Sequence, residues 1–525
     1  MAEEKLYDDM STLEKIEYVK KETRRLEGMG GERAIKRQHD RGKYTARERI
    51  DKLFDPGTFV EIGLWCKSSG IEYDLYKQDI PADGVIAGCG EINGRTAYAA
   101  VQDFTVMGGT LGRMHANKIV RTMGEAAKAG CPMLYLADSG GARIQEATDS
   151  LSGYGDLFYN NTRYSGVIPQ LCAIWGPTAG GAVYSPALMD CVFVVDKETQ
   201  AFITGPRVIK EVLGEEITEE ELGGAKVNAE KNGNAHFFAK NEDESIEQIK
   251  TLLSYLPSNS REKPPHVETG DPSDRAEPKL NEIIPDSDTR PYDMKVLIKM
   301  VVDNGVLFEW MERYAKNIVT GLARMNGDTV GILAQNPMYV AGALDINACD
   351  KGSRFIRFCD AYNIPIINFV DVPGYMPGTD QEFGGIIRHG AKMLFAYSEA
   401  TVPKITIPTR KAYGGSYIGM CSKDLGADAV LCWPTAQMAV MGAGGAVAVI
   451  ERKAITEAEN PEKKEAELIK EYRNRFVNPF FSATKLNVDA IIEPAETRPY
   501  ICRFLRMLRN KHEELPWKKH SIMPT

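Results

Sequence analysis

The sequence predicts an α/β protein made of two tandem, related halves. Three observations carry that reading. Short β-rich runs alternate with helical stretches at the spacing of βαβ units. The alternation is run through twice, separated by a Pro- and charge-rich segment. The same marks recur in both passes: an Asn-Gly hairpin (Asn93-Gly94, Asn326-Gly327), a strand-end turn opening on aspartate (138–143, 371–378) and a glycine-lined amide pair (180–181, 415–416). Asp138 precedes Gly181 by 43 residues and Asp371 precedes Gly415 by 44. A repeat of about 230 residues is too long for a solenoid and fits two duplicated domains.

Taken in order, residues Leu13 to Leu53 form a charged, helical arm with a capping box at Thr45-Ala-Arg-Glu48. Such an arm reads as a solvated face or an oligomer contact, without chemistry. From Phe59 to Val106 the pieces are short strands, including Val85–Gly90 and Thr96–Val101 around the Asn93-Gly94 turn. A helix from Met114 to Ala129 leads to the strand Met133–Ala137, which ends in Asp138-Ser-Gly-Gly-Ala-Arg143. A helix near Ile144–Leu151 and a further one precede the apolar run Val167–Ile174, a buried strand whose turn signal is Gly176-Pro177. Gly180 and Gly181 follow, then helix-compatible text from Ala182. Pro, Ser and charged residues from Pro257 to Asp293 mark an exposed linker. The expected division is therefore an N-terminal domain over 1–257, a linker over 258–292 and a C-terminal domain over 293–525. The second half repeats the hairpin (Val319–Leu333), a helix (Gly352–Tyr362), a strand (Ile364–Val370), the turn Asp371–Gly374 and the run Pro403–Tyr417. Asp138 and Asp371 read as turn or helix caps.

Composition sets outer bounds. Apolar residues make up 43% and charged residues 26%, as in an ordinary water-exposed globular protein. A net charge of −9 argues against nucleic acid as the main partner and leaves anionic ligands open. The ten cysteines contain no C-x-x-C pair, so neither a zinc ribbon nor a dithiol site is expected, and no metal. Without a signal peptide they read as reduced thiols in a cytoplasmic protein. The uncharged windows Tyr164–Met189 and Ala429–Ile450 are broken by Gly, Pro and polar residues, and read as buried strand–turn–helix, not as membrane spans.

The chemistry is expected from backbone. Adjacent glycines between a strand and a helix let two N–H groups converge beside a positive helix end, the arrangement an oxyanion hole needs. The usual side-chain catalysts are missing: no Gly-x-Ser-x-Gly elbow, no H-E-x-x-H and no P-loop. His115 and His389 lie in helical text, where packing or capping is the expected role. Backbone donors without a base suit a reaction whose difficulty is an enolate, and two holes suit two carbonyl-bearing partners.

The runs Asp138–Glu146, Gly176-Pro-Thr-Ala-Gly-Gly-Ala-Val-Tyr-Ser-Pro-Ala187, Phe202–Pro206, Glu221–Ala225, Phe369–Gly374, Gly384–Lys392 and Arg410–Gly415 resemble the carboxyltransferase (β) subunits of biotin-dependent acyl-CoA carboxylases. That family includes propionyl-CoA carboxylase β, the large transcarboxylase subunit and methylmalonyl-CoA decarboxylase α. The resemblance extends from Thr45-Ala-Arg-Glu-Arg49 to Lys518-Lys-His520. It implies two crotonase-like domains per chain, and a homo-hexamer (a trimer of dimers) whose active sites form between the N-half of one subunit and the C-half of another. It implies that the amides of Gly180 and Gly181 hold an acyl-CoA thioester oxygen, and those of Gly415 and Ser416 the ureido oxygen of biotin. By the same resemblance Gly140, Gly141, Ala142 and Arg143 line the CoA path, Tyr184 and Ile418 face the substrate, and Gly384, Gly385 and Ile386 face biotin. Biotin is expected on a separate carrier, with a biotin carboxylase subunit as further partner. The nearest text to a biotinylation site, Leu297-Ile-Lys-Met300, lacks its first Met. The implied activity is carboxyl transfer between carboxybiotin and a short acyl-CoA, propionyl-CoA foremost. The alternatives are the α subunit of a sodium-pumping methylmalonyl-CoA-type decarboxylase with membrane partners, or a transcarboxylase subunit; a CoA-binding scaffold is the non-enzymatic reading. Departures from the family pattern are Thr178, Ser416, Ile418, Ala343 and the acid-free run Met441–Ala446. They bear on the acyl group and leave backbone donation intact.

Overall fold

A computed structural model describes residues 6–525; the first five residues of the expected N-terminal domain lie outside them. The chain folds as two compact units, one reaching to Ser254 and the other beginning at Tyr255. Each holds one sheet, and the two sheets correspond strand for strand.

In the first unit the strands are β1 (Val60–Glu61), β2 (Val85–Ile92), β3 (Arg95–Gln102), β4 (Met133–Ser139), β5 (Gln170–Ala179), β6 (Cys191–Val195), β7 (Gln200–Phe202) and β8 (Phe237–Ala239). Their order is β1-β2-β3-β4-β5-β6-β8, with β7 paired to β5. The second unit has β9 (Phe308–Glu309), β10 (Ile318–Met325), β11 (Asp328–Gln335), β12 (Ile366–Val372), β13 (Lys404–Tyr413), β14 (Ala429–Cys432), β15 (Gln437–Ala439) and β16 (Ala490–Ile491). It repeats the order as β9-β10-β11-β12-β13-β14-β16, with β15 paired to β13.

The hairpins form where the Asn-Gly text places them. Asn93 and Gly94 have φ of 50° and 73°, and Asn326 and Gly327 have 51° and 84°. Left-handed values at both central residues make a type I′ turn, whose twist matches the flanking strands. The edge strands β1 and β9 pair antiparallel with β2 and β10, and from β3 and β11 onward the pairing is parallel. Every residue of β4 and of β12 is buried, because helices cover both faces of a parallel strand. The first core packs Tyr135, Cys172 and Val192 against Ile119, Met123 and Leu157, from the helices Arg113–Ala129 and Ala147–Tyr164. The second packs Ile332, Ile367, Ile405 and Leu431 with Ile298 and Ile501.

The duplication reaches a buried cation. Lys118 and Lys351 are each the sixth residue of the helix that follows the hairpin, Arg113–Ala129 and Ile346–Ala361. Lys118 Nζ donates to the carbonyls of Ala82 and Val85, and Lys351 Nζ to those of Tyr314 and Ile318. Burial lowers Lys118 to about 8 and Lys351 to about 7.

Three expectations are corrected. β5 does not stop at Ile174 before Gly176-Pro177 but runs on to Ala179. Its first part, Leu171–Ile174, pairs with β6 and its last, Pro177–Ala179, with β7. Gly176-Pro177 lies where the β4–β5 register slips, Ala137 facing Ile174 and Ser139 facing Thr178, so the breaker residues make a bulge inside the strand. β12 and β13 slip in the same place, between Val370 and Val372. Secondly, residues 258–292 are not free of the fold. Arg275 Nη1 donates to Met300 O, and Leu280 and Tyr292 are buried in the second unit. Thirdly, the N-terminal arm keeps its capping box at Thr45 but buries Lys43 and Arg49. Among the described residues no helix is long and apolar enough to cross a membrane, and none of the ten cysteines is in a disulfide, seven of them being buried.

Candidate active site

Each unit carries one amide pair at the end of its longest strand. β5 ends at Ala179 and passes into a 3-10 turn, Gly180–Val183, then the short helix Tyr184–Leu188. β13 ends at Tyr413 and passes into the helical turn Gly414–Gly419. Gly180 has φ 62° and Gly414 φ 59°, so the left-handed residue that swings the chain out of the strand is the same in both. The next residues, Gly181 and Gly415, are therefore equivalent. N–H groups at the start of a helical turn have no acceptor within it, which leaves these amides available to a ligand. The expected pairs, Gly180-Gly181 and Gly415-Ser416, thus share one equivalent position and differ by one residue in register. Ser416 is buried and its hydroxyl donates to Tyr413 O at 2.7 Å, so the side chain turns away from the amide face.

Tyrosine rings back both glycines. A Cβ added to Gly181 would stand 3.5 Å from Tyr154 Cδ2, and one added to Gly415 would stand 3.8 Å from Tyr375 Cε2. Both hydroxyls are buried, that of Tyr154 beside Ser139 and that of Tyr375 without a hydrogen-bond partner, and burial pushes both phenols well above the usual tyrosine range. Tyr184 and Ile418 stand at the same place in the two turns, each about half exposed (49% and 44%). Both positions face outward, as a substrate contact requires.

The loop beside the first pair is Gly140-Gly141-Ala142. A Cβ on Gly141, whose φ is 97°, would lie 3.2 Å from Ala179 O, so this loop runs against the end of β5. Arg143 does not share its exposure. Its guanidinium is fully buried, with Nη1 on Asp83 Oδ1 at 2.5 Å and Glu146 Oε1 at 2.8 Å, and Nη2 on Thr110 O at 3.0 Å. Of the four residues expected on the CoA path, Arg143 contributes structure from behind. At the junction expected to face biotin, Gly385 (φ 92°) separates the helices Thr379–Gly384 and Ile386–Glu399. Ile386 is buried there, whereas its neighbours Phe383 and Ile387 are exposed. The Ile386–Glu399 helix reaches the second pair through Gly390, whose Cβ position lies 3.0 Å from the Tyr375 ring.

Asp138 and Asp371 are not caps. Both are fully buried within the sheet at the register slip, and each is held by arginine. Asp138 Oδ2 receives Lys43 Nζ at 2.6 Å, Arg49 Nη1 at 2.9 Å and Gln38 Nε2 at 3.2 Å. Arg49 also grips Glu242 with two bonds, of 2.7 and 2.8 Å, and donates to Trp175 O. Burial lowers the Lys43 ammonium, against the pull of Asp138. Gly176 is obligatory here, because a Cβ would come within 2.0 Å of Asp138 Oδ1. In the second unit Arg410 supplies the cation from β13 itself, with Nε and Nη2 on Asp371 Oδ2 at 3.0 and 2.9 Å. The strands that present the amide pairs are thus pinned by buried ion pairs just before their ends.

The histidines play supporting parts. His115 is fully buried; its Nδ1 lies 2.8 Å from Asp83 O and its Nε2 3.2 Å from Gln102 Nε2, and burial drives its pKa well down, leaving a neutral ring. His389 Nδ1 lies 2.8 Å from Asp350 Oδ1. Neither is placed beside an amide pair by any of these contacts.

Sequence reasoning missed Lys43, Arg49, Glu242, Tyr154 and Tyr375. The signal for the first three was an aspartate closing an all-apolar strand, since a buried carboxylate demands a cation. The tyrosines carry no local signal.

Comparison with known proteins now adds its result. The carboxyl transferase domain family matches residues 37–523. The α subunit of methylmalonyl-CoA decarboxylase from Veillonella parvula is 54% identical over 511 residues, 97% of this chain and 99% of that one. The mitochondrial propionyl-CoA carboxylase β chain of Homo sapiens is 51% identical over 499 residues, 94% of this chain and 91% of that one. The crystal structure of transcarboxylase 12S, a hexamer assembly with methylmalonyl-coenzyme A and methylmalonic acid bound, superposes with a TM-score of 0.97 at 48% identity, covering 100% of both chains. Its two units are accordingly the tandem crotonase-like domains of a carboxyltransferase, and the chain belongs to the carboxyl transferase domain family.

Proposed function

We propose that this carboxyltransferase moves a carboxyl group between carboxybiotin and the α-carbon of a short-chain acyl-CoA, with propionyl-CoA and methylmalonyl-CoA as the pair. The observation that supports it most is the repeated strand-to-turn amide pair, present in both units. The amides of Gly180 and Gly181 hold the thioester oxygen as it gains negative charge. The amides of Gly415 and Ser416 hold the ureido oxygen. One such donor contributes roughly 3–4 kcal/mol to transition-state stabilisation. Biotin, delivered on its carrier, supplies the carboxyl group and then the base that takes the α-proton. The site fits a compact carbonyl: Gly415 presents no side chain, and the Ser416 hydroxyl is turned back to Tyr413 O.

In the forward direction the acyl-CoA would lose its α-proton and gain the carboxyl group at the α-carbon, while the carrier's biotin would give up that carboxyl group and take the proton. Microscopic reversibility lets the same amides serve decarboxylation, and the 54% identity to a decarboxylase α subunit favours that second reading. The 12S relative, a hexamer, supports a homo-hexamer here, with a biotin carrier and a biotin carboxylase, or membrane decarboxylase subunits, as partners in the cytoplasm.

The test is decarboxylation of malonyl-, methylmalonyl-, ethylmalonyl- and glutaconyl-CoA by the purified chain with free biotin as acceptor. Biotin-dependent release of CO2 from methylmalonyl-CoA is expected. No release from any of the four would overturn the assignment.

A further inference from the structure

The two half-sites are built on one plan, yet one must admit a long pantetheine thioester and the other a compact bicyclic urea. The loops beside the amide pairs are where they differ. Leu111 N donates to Gly141 O and Leu111 O accepts from Arg143 N; Leu344 N donates to Gly374 O and Leu344 O accepts from Met376 N. These matched bonds, with the bridges Leu111–Ala142 and Leu344–Tyr375, make Ala142 and Tyr375 the same position. In the first unit the loop is stripped to Gly140-Gly141-Ala142, and the ring behind Gly181 comes from Tyr154 in the covering helix Ala147–Tyr164. In the second the loop reads Pro373-Gly374-Tyr375, and carries the ring itself.

The fold has been cleared to receive that ring. Gly390, Gly415 and Gly419 all face Tyr375: a Cβ on Gly390 would lie 3.0 Å from the ring, one on Gly419 2.7 Å from the hydroxyl, and one on Gly415 3.8 Å from Cε2. The residue matching Gly419 in the first turn is Ser185, whose hydroxyl is engaged by Asn161 Oδ1 at 2.9 Å, so no comparable slot exists there. The Tyr375 hydroxyl has no hydrogen-bond partner, so the ring is what this position supplies.

Resting on the function proposed above, we propose that the side chain at this one position sorts the two substrates: Ala142 leaves the flank of the first amide pair open to the CoA arm, and Tyr375 closes the same flank of the second to such an arm. Ala142 is a specificity-determining residue and Tyr375 a positioning residue that also supports the turn bearing Gly415.

The experiment measures KM for methylmalonyl-CoA and for free biotin separately, in the intact assembled protein, for Ala142→Tyr, Tyr375→Ala and Tyr375→Phe. Ala142→Tyr is expected to raise the acyl-CoA KM roughly tenfold or more, with the biotin KM within about twofold of wild type. Tyr375→Ala is expected to raise the biotin KM roughly tenfold and lower kcat, with the acyl-CoA KM within about twofold. Tyr375→Phe keeps the ring and is expected to match wild type. If Tyr375→Ala fails to assemble, Ala142→Tyr, on a loop that needs no cavity filled, carries the test. An active wild type whose variants leave both KM values unmoved, move the wrong one, or lose as much with Phe as with Ala overturns the proposal alone. An inactive wild type removes the underlying function with it.

Discussion

Arg49→Met tests the claim that the buried ion pairs hold the first amide pair in place. Arg49 is 1% exposed and makes four bonds: two to Glu242, one to Asp138 Oδ2 and one to Trp175 O. Methionine fills much of the same space without charge. Asp138 keeps Lys43 and Gln38, whereas Glu242, itself 2% exposed, loses its cation and keeps the Tyr44 amide at 3.2 Å and the neighbouring Glu198 carboxyl. Removing one member of a buried pair costs about 3–5 kcal/mol, chiefly for the charge left behind. For a unit of this size each kcal/mol moves the melting temperature by about 2–4 °C, so a fall of roughly 6–20 °C is expected. Hydrogen exchange at the β4 and β5 amides assigns the loss to the first unit. Adding Glu242→Gln to Arg49→Met should recover part of it, because a neutral amide carries no buried charge. A variant melting within about 2 °C of wild type, or a double variant less stable than the single one, would refute the reasoning.

Two further outcomes follow from the site. Gly181→Val should lower kcat by roughly 10²–10³-fold while leaving the oligomer assembled, since the Cβ has room at 3.5 Å from Tyr154 but the added methyls crowd the amide face; retained turnover in the decarboxylation assay would sink the hole assignment. Glu198 is pushed up to about 7 by burial and by the Glu242 carboxylate. Its folded form binds more protons than its unfolded form between about 4.5 and 7, so wild-type stability falls as pH rises through that window. Glu198→Gln should flatten this part of a melting-temperature series and leave the protein more stable at pH 7.5, and an unchanged slope would show that Glu198 is not the group.

The duplication, the hairpins and the two amide pairs were legible because their signals are local. Asn-Gly between β-rich runs, an apolar strand ending in Asp, and glycine pairs after a strand each lie within a dozen residues, and chain geometry alone gives them meaning. The catalytic proposal rests on equally local text, since backbone amides need only the right turn. What the sequence left open is set by contacts across long stretches of chain. Arg49 meets Asp138 from 89 residues away and Glu242 from 193, so the arm that reads as a solvated helix supplies the counter-charge of the core. Gly176-Pro177 reads as a strand end, yet the sheet keeps the strand going because β7 waits to pair with Pro177–Ala179. The family resemblance puts Arg143 on the CoA path, but Asp83, 60 residues earlier, claims its guanidinium. Local text determines which backbone conformations are allowed; the packed interior decides which charges and rings are spent on holding them.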